Sequence, residues 1–314
     1  VGDVFWDPDG ARSTFRSNRP NIRRLRAPRT FAESQAFWRA PGADFEELLE
    51  RPDVFHANNF YCPRGLRRAR LIYTLHDLSF MSHPEWTTEA NRMGCFQGVF
   101  RASLCADLVM AVSESSRRHF LEVFPYYPAE RIVVVYLASR FSGATPVRQP
   151  GSLDMLRPGG FWLSVATLEP RKNHERLLRA YARLKQQFPH AYPLVLCGGK
   201  GWLMDEFEKR LADLGWSRDV ILTGYVDDTA LQWLYENCFA FVYPSLFEGF
   251  GLPVLEAMSL GAPVIASRTT SIPEIVGSAG VLVDPLDEGA IAAAMQQLLT
   301  GERNRERLRA AARQ

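Results

Sequence analysis

A chain of 314 residues, 46% hydrophobic and 23% charged, has the composition of a globular protein with room for two domains of ordinary size. No run approaches the roughly 18 apolar residues of a membrane span, and no secretory leader is visible. The five cysteines (Cys62, Cys95, Cys105, Cys197, Cys238) contain no C-x-x-C pair and read as buried free thiols of a reducing cytoplasm.

The net charge of +2 hides an asymmetry. Residues 1–150 carry 20 Arg against 16 acids, and residues 151–314 carry 17 bases against 19 acids. Arg12, Arg16, Arg19, Arg23, Arg24, Arg26 and Arg29 follow one another with no acid between Asp9 and Glu33. Such a run is either a solvated loop or a surface that attracts anionic lipid or a lipid-diphosphate acceptor. No aromatic-basic motif or recognition helix accompanies it, which argues against nucleic acid. Asp7-Pro8-Asp9-Gly10 spells a D-x-D, but in a Pro-Gly stretch before any sheet it reads as a turn.

The first fifty residues give no element. From Asp53 a strand–helix rhythm begins, with strands predicted at 53–56, 71–75, 108–112 and 132–135 and helices at 86–105 and 114–123. A linker holding Pro146, Pro150, Gly151, Pro158, Gly159 and Gly160 separates a domain of residues 1–150 from one of 151–314. In the second, strands are predicted at 161–166, 193–197, 219–222, 239–243, 263–266 and 281–283. Helices are predicted at 174–188, 204–214, 228–236, 252–260 and from 287. Strict alternation means parallel sheets, which take ligands at the carboxyl ends of their strands. The fold class is therefore α/β, with two Rossmann-like domains facing across a cleft.

Phe239 onwards reads FAFVYPSLFEGFGLPVLEAMSLGAPVIAS. Gly249 and Gly251 let backbone approach a ligand, and a helix opened by Pro253 offers N–H groups and a dipole to phosphate. Glu248 and Glu256 beside such a cradle are better suited to hydroxyls. Hydroxyls and phosphates together suggest a sugar nucleotide. Arg171 and Lys172, at a strand-to-helix turn, are suited to neutralising a diphosphate, and Asn173 is placed to cap the following helix.

EGFGLPVLEAMSLGAPVIAS, with its acids eight apart, resembles the E-x7-E signature of retaining GT-B glycosyltransferases of family 4, which includes bacterial mannosyltransferases of surface-polysaccharide synthesis. LSVATLEPRKNHERLLRAYARL (Leu163 to Leu184) is similar to that family's other donor segment, and YTLHDLSF (Tyr73 to Phe80) to its acceptor-side histidine segment. The resemblance implies transfer of a hexosyl group, mannose from GDP-mannose first among the choices, to a saccharide or lipid-linked saccharide. It implies neither cofactor nor obligatory metal. The thiols point to a cytoplasmic protein, and the Arg run, where it is not a solvated loop, to peripheral contact with the inner membrane face.

By that resemblance His76, Glu248, Arg171 and Lys172 are the catalytic residues. The donor meets Arg171, Lys172, Gly198, Tyr225, Val226, Glu248, Gly249, Phe250, Gly251, Leu252 and Glu256, the last through its ribose hydroxyls. Gly199 extends the strand exit at Gly198. Asp77 either orients His76 or caps the next turn. His56 ends a strand and is a candidate for the cleft, whereas His83 and His119 read as surface or packing histidines. Asp227 and Asp228 look like a helix cap. Both ends are expected to lack family segments: an opening strand with a Gly-rich loop, and a last helix that returns to the first domain. Three other readings stay open: a sugar-nucleotide epimerase, a phosphorylase with pyridoxal phosphate on Lys172, Lys185, Lys200 or Lys209, and a degenerate binder without turnover.

Overall fold

The computed structural model describes residues 2–3, 23–24, 45–58, 62–63, 65–141, 147–201, 207, 211 and 219–312. The D-x-D turn, the Arg run apart from the backbone of Arg23 and Arg24, and the helix predicted at 204–214 apart from Phe207 and Leu211 lie outside the described residues. Two compact units form, one from Val1–His76, Glu89–Ala111 and Phe120–Val134, the other from Asp77–Thr88, Val112–His119 and Val135–Gln314. No helix among the described residues is long and apolar enough to cross a membrane.

The first unit holds β1 (Val54–Asn58), β2 (Arg70–Leu75), β3 (Leu108–Ala111) and β4 (Ile132–Val134), paired in that order and all parallel. Leu71, Tyr73 and Leu75 of β2 are buried, the period of two that a pleated strand imposes. Between β2 and β3 runs α1 (Glu89–Cys105), and after β3 comes α2 (Glu114–Val123). Residues 86–88, predicted as helix, are not part of α1 because Pro84 opens a separate 3-10 turn, Pro84–Trp86.

The second unit is built on six parallel strands: β5 (Trp162–Val165), β6 (Leu194–Cys197), β7 (Val220–Gly224), β8 (Ala240–Tyr243), β9 (Val264–Ser267) and β10 (Gly280–Val283). Their order is β10-β9-β8-β5-β6-β7. The sequences WLSV, LVLC, AFVY and VIAS are almost wholly apolar because helices cover both faces. Alternate side chains feed two cores. Leu163, Val195, Phe241, Tyr243 and Val264 join one with α4 (Asp228–Asn237), α5 (Leu252–Ser259) and α6 (Ile272–Val276). Trp162, Leu194, Val242 and Ile265 join the other with α3 (His174–Gln187), α7 (Glu288–Thr300) and Leu308 of α8 (Glu302–Ala312).

The helix predicted from 287 is thus two helices, divided at Gly301, and the five-residue α6 is too short to leave a periodic signal. Of the cysteines, Cys62, Cys197 and Cys238 are buried, but Cys95 is half-buried and Cys105 exposed, which corrects the reading of all five as buried; none forms a disulfide.

In this strand order β5 and β8 are neighbours from which the chain proceeds in opposite directions, β6 and β7 to one side and β9 and β10 to the other. Their carboxyl ends flank the topological switch point, where open parallel sheets bind ligands.

Candidate functional site

Two loops meet at that switch point. After β5 the chain makes a 3-10 turn, Pro170–Lys172, and enters α3 through Asn173 in the left-handed region (φ 61°). After β8 it passes Pro244 and Ser245 to Glu248. Leu246 N donates to Arg171 O at 2.8 Å, joining the loops. Asn173 does not cap α3 with its side chain, contrary to the expectation. Its amide nitrogen instead donates to Pro244 O (2.9 Å) and Pro285 O (2.7 Å), pinning three strand exits together.

Glu248 is buried at the centre. Its Oε1 accepts from Lys172 Nζ (2.7 Å), Tyr243 OH (2.8 Å) and Ser245 Oγ (2.6 Å), and its Oε2 accepts from Arg171 Nη1 (3.1 Å). Burial alone would raise its pKa, but Lys172, Arg171 and the Ser245 hydroxyl outweigh it and bring the group down to about 2. Arg171 also donates to Glu169 Oε1 (2.8 Å) and to Phe247 O (2.8 Å). Burial pulls the guanidinium down, yet Glu248, Glu169 and Asp77 hold it above its ordinary value. Tyr243, whose phenol burial and Glu248 together push far up, stays neutral and accepts from Lys172 Nζ at 2.8 Å. Two partly buried cations are thus offset by two buried carboxylates, Glu169 and Glu248, as burial demands.

The Gly-Phe-Gly turn follows. Gly251 takes φ 110° at the N-cap of α5, and a Cβ there would lie 2.6 Å from Ile272 Cδ1, so only glycine fits. Gly249 O accepts from Ser113 Oγ at 2.7 Å, and Ser271 Oγ donates to Glu248 O and Phe250 O at 2.9 and 2.8 Å. Phe250 is buried and Leu252 half-exposed. Glu256 lies in the second turn of α5 and is buried. It accepts from Arg140 Nε (3.0 Å) and Tyr235 OH (3.2 Å), while Arg140 Nη1 also reaches Asp228 Oδ1 at 2.9 Å. Burial raises its pKa despite Arg140 and Tyr235.

At the exits of β6 and β7, Gly198 takes φ 150° and a Cβ would sit 2.0 Å from Ala166 O, because the two backbones run close together there. Gly198 N donates to Gly224 O at 3.0 Å. Tyr225 is 83% exposed, Val226 packs partly on the core, and Asp227 caps α4 as predicted, accepting from Ala230 N at 2.8 Å.

His76, exposed, follows the end of β2 in the first unit. Asp77, one residue before the N-cap Leu78 of Ser79–Ser82, accepts from Ser79 N and Oγ at 2.8 and 2.6 Å. His56 lies in the middle of β1, not at its end, 2.7 Å from Thr74 Oγ1 of β2.

The structure therefore brings together Arg171, Lys172 and Glu248, gives Glu256 partners of its own, and adds Glu169, Tyr243, Ser245, Arg140 and Tyr235. Tyr243 and Ser245 stood inside the motif but looked like strand and turn. Arg140 had no signal, being more than one hundred residues from its partner.

Residues 158–314 match the family model described as Glycosyl transferases group 1, and residues 3–138 that described as Glycosyltransferase Family 4. The chain belongs to the glycosyl transferases group 1 family and its two parallel-sheet units have the GT-B fold, as the three segments implied. It is similar to O-antigen chain mannosyltransferase B of Escherichia coli, 40% identical over 262 residues that cover 81% of this chain and 67% of that protein. It is also similar to the serotype-specific mannosyltransferase WbdA of Escherichia coli, 36% identical over 204 residues covering 63% and 25%. The chain thus spans about two thirds of one relative and a quarter of the other. Among solved structures, sucrose-phosphate synthase from Thermosynechococcus elongatus matches with a TM-score of 0.75 at 21% identity, covering all of this chain and 83% of that one. Anabaena HepE, solved in complex with UDP and glucose, matches at 0.64 and 24%, covering 78% and 66%. At such identities the likeness is one of fold.

Proposed function

We propose that this chain is a retaining, metal-independent hexosyltransferase that moves mannose from GDP-mannose to a saccharide or lipid-linked saccharide. The observation that carries the reading is the Arg171–Lys172–Glu248 cluster at the switch point of the six-stranded sheet. A leaving nucleoside diphosphate gains negative charge as its bond to the sugar breaks, and two fixed cations favour that change more than they favour the intact donor. Glu248, kept ionised at any working pH, accepts from sugar hydroxyls or faces the positive charge developing on the ring. Glu256 accepts from the ribose hydroxyls, and the loop at Tyr225 and Val226 meets the base. In the transfer, the bond from the sugar's anomeric carbon to the diphosphate oxygen breaks. The acceptor oxygen bonds the same face, and its proton passes to the departing diphosphate. Mannose is preferred because both Escherichia coli relatives are named as mannosyltransferases.

The test is incubation with GDP-mannose and mannobiose in excess EDTA, with the product's anomeric configuration read by NMR. An α-linked trisaccharide is expected. A β-linked product, activity abolished by EDTA, or thermal stabilisation by UDP or ADP but not GDP would each overturn the corresponding part.

A further inference from the structure

Four rings gather beside Glu248 that belong to neither core of the sheet. Phe247 immediately precedes Glu248, and its carbonyl is held by Arg171. His83 and His119 flank it, with ring centroids 6.3 and 5.9 Å away. Trp86 stacks on His83, centroids 3.8 Å apart and planes 14° from parallel. All four side chains are partly exposed.

They are also held in place. Pro84 opens the 3-10 turn that ends at Trp86. His83 Nδ1 lies 3.1 Å from Glu85 Oε1, and His119 Nε2 lies 2.9 Å from Ser82 Oγ. The segment begins at Asp77, one of the carboxylates that act on Arg171, so it starts beside the cations.

Rings gathered only to stabilise a fold are ordinarily buried in its core. Here they form a rigid, partly exposed patch with imidazole nitrogens at its edge, one residue from the central carboxylate. A pyranose has the matching chemistry, since its face of C–H bonds stacks on an aromatic ring and its hydroxyls need nearby donors and acceptors. We propose that Trp86, Phe247, His83 and His119 form the subsite for the acceptor saccharide, the first two supplying apolar faces and the histidines the polar edge. This rests on Glu248 marking the place of the transferred sugar and adds where the second sugar docks. His83 and His119 thereby change from surface or packing histidines to recognition residues.

The test uses the full chain and its Trp86→Ala and Trp86→Phe variants, with GDP-mannose as donor and mannobiose as acceptor. Loss of the whole indole removes the stacking face and is expected to raise the acceptor KM about tenfold, which is about 1.4 kcal/mol. Trp86→Phe should recover most of that, with donor KM and GDP affinity unchanged within about twofold. An unchanged acceptor KM in Trp86→Ala overturns the proposal, as does an equal fall in donor and acceptor terms, which marks a purely structural role. Saturation-transfer NMR with the methyl α-pyranosides of mannose, glucose and galactose reads the subsite without turnover. If the parent transfers nothing, the proposed reaction fails, but a pyranoside signal lost in Trp86→Ala still supports the subsite. No signal, or an equal one in the variant, rejects it.

Discussion

Replacing Glu248 by Gln removes one negative charge from a buried cluster in which Arg171 and Lys172 are offset by Glu169 and Glu248. The gap between an ordinary carboxylate value of 4.5 and about 2 corresponds to about 3 kcal/mol in favour of the ionised form. The variant keeps the shape but loses that preference and leaves a surplus of buried positive charge. A fall in Tm of about 6–12 °C follows for a unit of this size. The folded-state value lies below the ordinary one, so the parent's advantage is complete at neutral pH. It fades as pH falls from about 4.5 towards 2, where both proteins converge. A diphosphate brings back the missing charge, so GDP is expected to raise the variant's Tm by more than it raises the parent's. The assay is thermal unfolding at pH 7 and at pH 3, with and without GDP. A variant as stable as the parent at pH 7, or one that gains no more from GDP, would refute the account of Glu248 as the charge that balances the two cations.

Glu256→Ala should weaken GDP binding by about 1.5–3 kcal/mol, the worth of hydrogen bonds to a charged acceptor; affinity within twofold of the parent removes Glu256 from the ribose site. Because burial raises the Glu256 pKa, GDP affinity of the parent is expected to start falling at a pH above 4.5, and calorimetric titration across pH 4–7 shows whether it does. Lys172→Ala should lower kcat more than it raises donor KM, since the leaving group's charge grows only in the transition state; equal losses would make Lys172 a plain binding residue. Replacing Arg23, Arg24 and Arg26 by Gln should abolish salt-screened binding to anionic vesicles, and vesicle binding equal to the parent's would mark the Arg run as a solvated loop.

Most of the fold was legible because parallel strands buried on both faces write themselves as short apolar runs, and AFVY and VIAS needed little else. The helix 114–123 was read to the residue, since Glu114 opens an amphipathic run. Elements shorter than two turns, such as Pro84–Trp86 and Ile272–Val276, carry no period and were missed. The site was legible as far as its motif reached along the chain. Glu248, Arg171 and Lys172 stand out in the sequence, whereas Tyr243 reads there as one more apolar strand residue although its hydroxyl lies on Glu248. Asn173 stands where its type most often caps a helix. Its left-handed backbone turns the side chain elsewhere, which local spacing does not reveal.

That turn of Asn173 has an evolutionary consequence. Its amide nitrogen donates to two carbonyls that belong to different strand exits, and the pocket that receives it is shaped for an amide. Aspartate has the same outline and is a single base change away in the codon. It would point an acceptor at two acceptors, a mismatch that the Arg176 guanidinium, which already donates to the other side-chain oxygen at 3.0 Å, does not relieve. A substitution one base change away is therefore one the rim tolerates poorly, and drift at this position is expected to stall on chemistry rather than on size.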